Sequence, residues 1–268
     1  NPQLVANEMI QNRFSASDNV LLVVNPANGE IFNRENLHAI EELTEAAWQI
    51  PYSQRVDSIT NFQNTAVDGD DLMVEDLVQD ALSLSAEEIN QRKEIALNEP
   101  LLVHRLISPT GHVSALNIQL NLPEDQTMAI PVVMEKVRSI RQEFAEKHPG
   151  LQIMITGVTP LNNAFNEMNQ KDSETLIPLM LLIIVLLVGL LLRSVSGTVI
   201  TVLIIIFSVV TAVSSMGWIG MPINNINFAA PIIILTLAVA DCIHLLSYYM
   251  MGLRKGMDKI EALKSSLD

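Results

Sequence analysis

The sequence predicts an α+β domain followed by a bundle of membrane-spanning helices. Two observations carry that prediction. Residues 1–175 hold 26 of the 30 acids and 11 of the 16 bases, a net charge of −15, whereas residues 176–268 net +1. The second part also holds three long apolar stretches in succession, joined by short links, which a purely soluble protein does not show. We therefore divide the chain into an outer domain, 1–160, and a membrane part, 161–268. The chain starts at Asn1 and stops at Asp268 within an amphipathic pattern (Ile260, Leu263, Leu267). It reads as an internal fragment of a longer protein.

Within the outer domain, Asn19–Val24 is a β-rich run. Leu37, Ile40, Leu43, Ala47 and Trp48 recur at helical spacing across 33–50, and Pro51 ends that helix. Arg55–Thr60 reads as a second strand. Leu101–Ile107 and Val113–Leu120 flank the turn cluster Ser108-Pro109-Thr110-Gly111, which predicts a hairpin. Val133, Val137, Ile140 and Phe144 mark another helix, and Leu151–Ile155 a last strand. The order β-α-β, helical insert, β-β-α-β fits split βαβ, ferredoxin-like units. From Pro160 to Thr175 the chain is polar and helical in pattern, with Leu161, Phe165 and Met168 on one face.

The membrane part contributes spans at 176–192, 199–218 and 228–251, with an amphipathic tail at 252–268. The first link contains Arg193, and the tail contains Arg254, Lys255, Lys259 and Lys264; the link Met221–Asn227 has no base. The positive-inside rule puts the basic ends in the cytoplasm. The first span then runs inward, and residues 1–175 face the periplasm of a cell with an inner membrane.

Asp241 is the only acid in the three spans. It lies roughly 20 Å along a helix from Phe228, at about 1.5 Å per residue. A carboxylate at that depth costs roughly 2.5–3.5 kcal/mol, so such residues mark ion or proton paths. His244 follows by three residues, on the same helical face. Asp241 and His244 are the candidate proton relay; the alternative is a polar pair that only fills a helix seam. Ala229, Ala230, Ala238 and Ala240 give the third span small residues where another helix could approach closely.

Other chemistry is unsupported. The acids Asp68, Asp70, Asp71, Glu75, Asp76 and Asp80 fail the EF-hand spacing, with Gly69 misplaced and Gln79 at the twelfth position, and read as a solvated face. The histidines lack metal-ligand spacing, and the lone cysteine, Cys242, excludes an intramolecular disulfide framework. No phosphate-binding glycine loop and no basic stripe occur, so the sequence implies no cofactor, no nucleic-acid partner and no nucleophile–base pair of an enzyme.

Thr156-Gly157-Val158-Thr159-Pro160 before the first span and Val239-Ala240-Asp241-Cys242-Ile243-His244-Leu245-Leu246 within the third resemble the resistance–nodulation–division superfamily, and within it the MMPL-like, hydrophobe/amphiphile exporters. The resemblance covers nearly the whole chain. It implies a porter-like outer domain and the second to fourth helices of one repeat, completed by further helices and a second repeat. It also implies proton-driven export of hydrophobic or amphiphilic molecules, lipids or drugs, from an inner membrane. In that superfamily the fourth helix often carries an Asp-Asp pair; here the first position is Ala240 and the second Asp241. His244 matches an Asp-x-x-His variant and supplies a second titrating group. A sterol- or lipid-sensing protein of the Patched type and a membrane-anchored assembly factor are the rival readings.

Overall fold

The computed structural model describes residues 2–3, 5–6, 9, 18–68, 71–123, 126–221, 227 and 230–267. It forms two compact units, Asn1–Ala164 and Phe165–Asp268, the second beginning a few residues after the boundary read from sequence.

The first unit is built on a four-stranded sheet. Strand β1 (Asn19–Pro26) alternates strictly, with Val20, Leu22 and Val24 buried. Helix α1 (Arg34–Trp48) starts where the Asn33 side chain accepts the Asn36 N–H, and it buries Leu37, Ile40, Leu43 and Ala47. Strand β2 (Ser53–Asp57) follows. An insert then carries a hairpin of β3 (Gln63–Asp68) and β4 (Asp71–Asp76) and helix α2 (Ala86–Asn98), whose start is fixed by a reciprocal Ser85–Glu88 capping box. Strand β5 (Ser114–Leu120), helix α3 (Gln126–Lys147) and strand β6 (Leu151–Thr156) complete the unit. The sheet order is β2-β5-β1-β6 with every neighbouring pair antiparallel. This is the split βαβ arrangement the element order predicts. Helices α1 and α3 pack on each other and on the buried face of the sheet, and Val133, Val137, Ile140 and Phe144 of α3 join that core.

Three local readings change. Leu101–Ile107 is not a strand, and the hairpin with 113–120 does not form. The Leu102 carbonyl accepts the N–H groups of Arg105, Leu106 and Ile107, which closes the segment into a tight turn. Only isolated bridges, Val103–Ile107 and Ile107–Ser114, remain. The second strand ends at Asp57 rather than Thr60, because Asn61 accepts the Ser58 N–H and donates to the Val56 carbonyl. Trp48 leaves the buried face of α1 and is 47% exposed. Four of the acids read as a solvated face, Asp68, Asp71, Glu75 and Asp76, stand on the β3–β4 hairpin; Gly69 and Asp70 lie outside the described residues.

Gly157 fixes how the sheet ends. Its φ is +115°, and a Cβ there would lie 2.7 Å from the Asn19 carbonyl oxygen, so only glycine fits. The Asn19 amide then serves both sides. Its oxygen accepts the Val158 N–H at 3.0 Å, and its nitrogen donates to Asn117 at 2.8 Å. Helix α4 (Val158–Lys171) starts at that point.

The second unit is helical. One turn of π-helix, Asp172–Leu176, in which the Ile177 N–H donates to the Asp172 carbonyl, leads into α5 (Ile177–Leu192). Arg193 is left-handed, with φ +48°, and reverses the chain. Ser194 then accepts the Gly197 N–H and starts α6 (Val195–Trp218). Helix α7 (Ala230–Arg254) and the short α8 (Lys259–Leu267) follow. The helical runs Val158–Leu191, Val195–Trp218 and Ala230–Arg254 have apolar windows of mean hydropathy 2.7, 2.5 and 2.0. At about 1.5 Å per residue each is long enough to cross a hydrocarbon core of about 30 Å. The second span begins earlier than the sequence reading and the third ends later. Phe228, Ala229 and residues 222–226 of the link between these spans lie outside the described residues.

Candidate functional site on the third membrane helix

Helix α7 packs on α6 and touches α5. It does so through one face, on which Leu235 and Cys242 are buried. Seven residues separate them, two helical turns, so they form a single seam. The neighbouring helix α6 buries Thr201 and Ile205, and the Thr201 hydroxyl donates to the Gly197 carbonyl on its own helix. Such back-bonding lets a hydroxyl sit inside an apolar seam without an orphaned proton.

Asp241 and His244 lie off that seam. Both are exposed within this chain. They share a stripe with Ile233, Leu237, Tyr248 and Met251, each at least half exposed. The spacing of three and four residues makes the stripe one continuous face. The structure thus brings Asp241 and His244 to the same face, one turn apart. Among the described residues neither makes a hydrogen bond or ion pair with the other or with any other side chain. Ala240 is exposed beside Asp241, so a second carboxylate is absent from that step of the stripe. Ala238 is half-buried at the edge of the packed seam, and Ala229 lies outside the described residues.

The stripe is apolar at both ends and polar in the middle. Its middle section offers a carboxylate, an imidazole and the Tyr248 phenol within two turns. A carboxylate and an imidazole can each hold or pass a proton. The sequence singled out Asp241 and His244 from their place within the third span. It did not identify Tyr248, whose position one turn beyond His244 was legible from the four-residue spacing.

Among the described residues, no three His, Cys, Asp or Glu side chains are arranged to hold a metal ion. His38 and His148 are both engaged with Glu42 on α1, at 3.4 and 2.9 Å.

No curated protein matches the chain closely enough to count as a relative. The sequence profile of the MMPL family, however, matches residues 2–267. That match takes in the antiparallel α+β unit, all three membrane-capable helices and the stripe that holds Asp241 and His244. This multi-pass membrane protein belongs to the MMPL family, transporters of the resistance–nodulation–division type.

Proposed function

We propose that the chain is part of a proton-motive-force-driven exporter of hydrophobic or amphiphilic molecules, and that Asp241 and His244 form its proton relay. The observation that carries this reading is the open polar stripe of α7. A carboxylate facing hydrocarbon costs roughly 2.5–3.5 kcal/mol, so further helices of the same transporter would cover the stripe and leave a proton path along it. Protonation of Asp241 changes the charge of that stripe and with it the preferred packing of α7. One proton crossing the membrane releases about 2.3 kcal/mol per 100 mV, which suffices to bias a helix-packing equilibrium several-fold.

In this reading the protein sits in the inner membrane, with residues 1–175 in the periplasm and 252–268 in the cytoplasm. The distribution of Arg193, Arg254, Lys255, Lys259 and Lys264 supports that orientation. The deciding experiment replaces Asp241 by Asn in the whole transporter. Asn keeps size and hydrogen bonding but cannot titrate. Abundance and insertion stay near wild type and proton-coupled transport is lost; transport at the wild-type rate would sink the relay.

A further inference from the structure

The insert between β2 and β5 overhangs the outer face of the sheet and leaves a cleft of about 840 Å³. That volume lies within the roughly 300–1,000 Å³ of small-molecule sites. Its floor is the sheet face opposite the α1–α3 core, with Leu21 of β1 in register with Asn117 of β5 and Gln119 two residues further along β5. Its apolar wall is Phe62, Leu101 and Trp48. Leu101 is 58% exposed and Trp48 47%, so the wall is apolar surface held open rather than closed into the core.

The charge of the cleft opposes that of its domain. Arg55 is spent on Asp57, its Nε donating at 2.7 Å. Arg105 also lines the cleft. Among the described residues its side chain makes no hydrogen bond or ion pair. Residues 1–175 carry 26 acids, yet none of the described ones reaches this guanidinium. The cleft therefore presents one uncompensated cation beside an apolar wall. A guanidinium offers a planar fork of donors to a carboxylate, sulfate or phosphate oxygen pair, and the wall accepts a hydrocarbon chain.

We infer that this cleft binds an anionic amphiphile, with its head group on Arg105 and its chain along Trp48, Phe62 and Leu101. The inference rests on the exporter reading for its purpose, because it names a class of molecule for such a protein to handle. Its support is the cleft itself.

The test uses the whole chain in nanodiscs of zwitterionic lipid, with Trp218→Phe so that Trp48 is the one remaining tryptophan. Dodecanoate is titrated against Trp48 fluorescence, with dodecanol and acetate in parallel. Dodecanoate gives a saturable blue shift, acetate gives none, and dodecanol binds about tenfold more weakly, as loss of a charged hydrogen bond predicts. Arg105→Gln brings dodecanoate down to the affinity of dodecanol. Because Arg105 is exposed, the variant keeps the wild-type circular dichroism spectrum. Absence of a saturable shift with dodecanoate overturns the site. Equal binding of dodecanoate and dodecanol, or an Arg105→Gln variant that binds dodecanoate as wild type does, overturns the head-group assignment. Asp241→Asn transport reads the relay separately, so either conclusion can fail alone.

Discussion

Gly252 of α7 and Ala262 of α8 stand so close that a Cβ on Gly252 would lie 2.9 Å from the Ala262 Cβ and 3.2 Å from its Cα. Ala262 is fully buried by this contact. Two small residues therefore set the docking of the terminal helix on the third span. Gly252→Val forces the two backbones apart, at a cost of about 1–3 kcal/mol for overpacking. In the whole chain in nanodiscs, limited trypsin digestion at Lys255 and Lys259 should run several-fold faster in this variant. An unchanged rate means that α8 does not depend on the contact.

His244 separates a relay from a lone acid. If the imidazole passes the proton, His244→Ala slows proton-coupled transport by about a hundredfold or more, the low end of what a positioned acid–base group typically contributes. Asp241→Glu keeps a titrating carboxyl one methylene farther out and retains part of the activity. Transport assays in proteoliposomes with an imposed pH gradient check both. Wild-type rates for His244→Ala would leave Asp241 acting alone.

Sidedness is open to direct chemical labelling. Ser196, next to Arg193, and Met221, at the far end of α6, are both exposed. With Cys242 replaced by Ser, a single cysteine at Met221 should react with a membrane-impermeant maleimide in intact cells, and one at Ser196 should not. The reverse pattern would invert the orientation.

The outer unit has its own core, so residues 1–160 should fold alone, with mixed α and β dichroism and a cooperative urea transition. Glu42 gives that transition a pH dependence. It accepts Lys147 Nζ at 2.6 Å and meets His148 Nε2 at 2.9 Å. The hydrogen bond from Lys147 is the largest influence and, with that from His148, holds the Glu42 carboxyl below its ordinary value near 4.5. A carboxyl depressed on folding stabilises the native state above its unfolded value, and that contribution is lost as pH falls through the folded one. Lys147 is 62% exposed, so solvent screens the pair and Glu42→Gln should cost only about 0.5–1 kcal/mol at pH 7. The difference between variant and wild type should shrink as pH drops below 4.5. A difference that persists undiminished in acid would assign Glu42 a packing role instead.

The sequence and the structure agree where burial imposes a clean period. Val20, Leu22 and Val24 alternate, and Leu37, Ile40 and Leu43 recur at helical spacing, because each set faces one core. The three spans were legible from length and apolarity alone. Leu101–Ile107 misled because its buried residues, Leu102 and Ile107, hold down a turn rather than one face of a strand. The β3–β4 hairpin went unseen because its acids broke the alternation, leaving Met73 and Val74 exposed among them. Asp241 was legible as a charge at depth. The direction it faces was not, since the seam of α7 is chosen by Leu235 and Cys242 meeting α6, a tertiary contact that no period within one helix specifies.

The sheet's topology also sets a timetable for synthesis. Among the described residues strand β1 pairs with β5 and β6 alone, and its Asn19 bonds to a residue 98 positions later. At about 5–20 residues per second of translation, β1 emerges several seconds before its first partner exists. Loop closure over that distance adds only a slowly growing entropic cost, but the delay is unavoidable. During it Asn19–Pro26, which buries Val20, Leu22 and Val24 in the finished unit, is an apolar strand with both edges unpaired, the state most prone to join a neighbouring chain. A nascent chain halted between Leu120 and Leu151 would hold β1 paired on one side only, so the unit is committed to its fold late, once Leu151–Thr156 has left the ribosome.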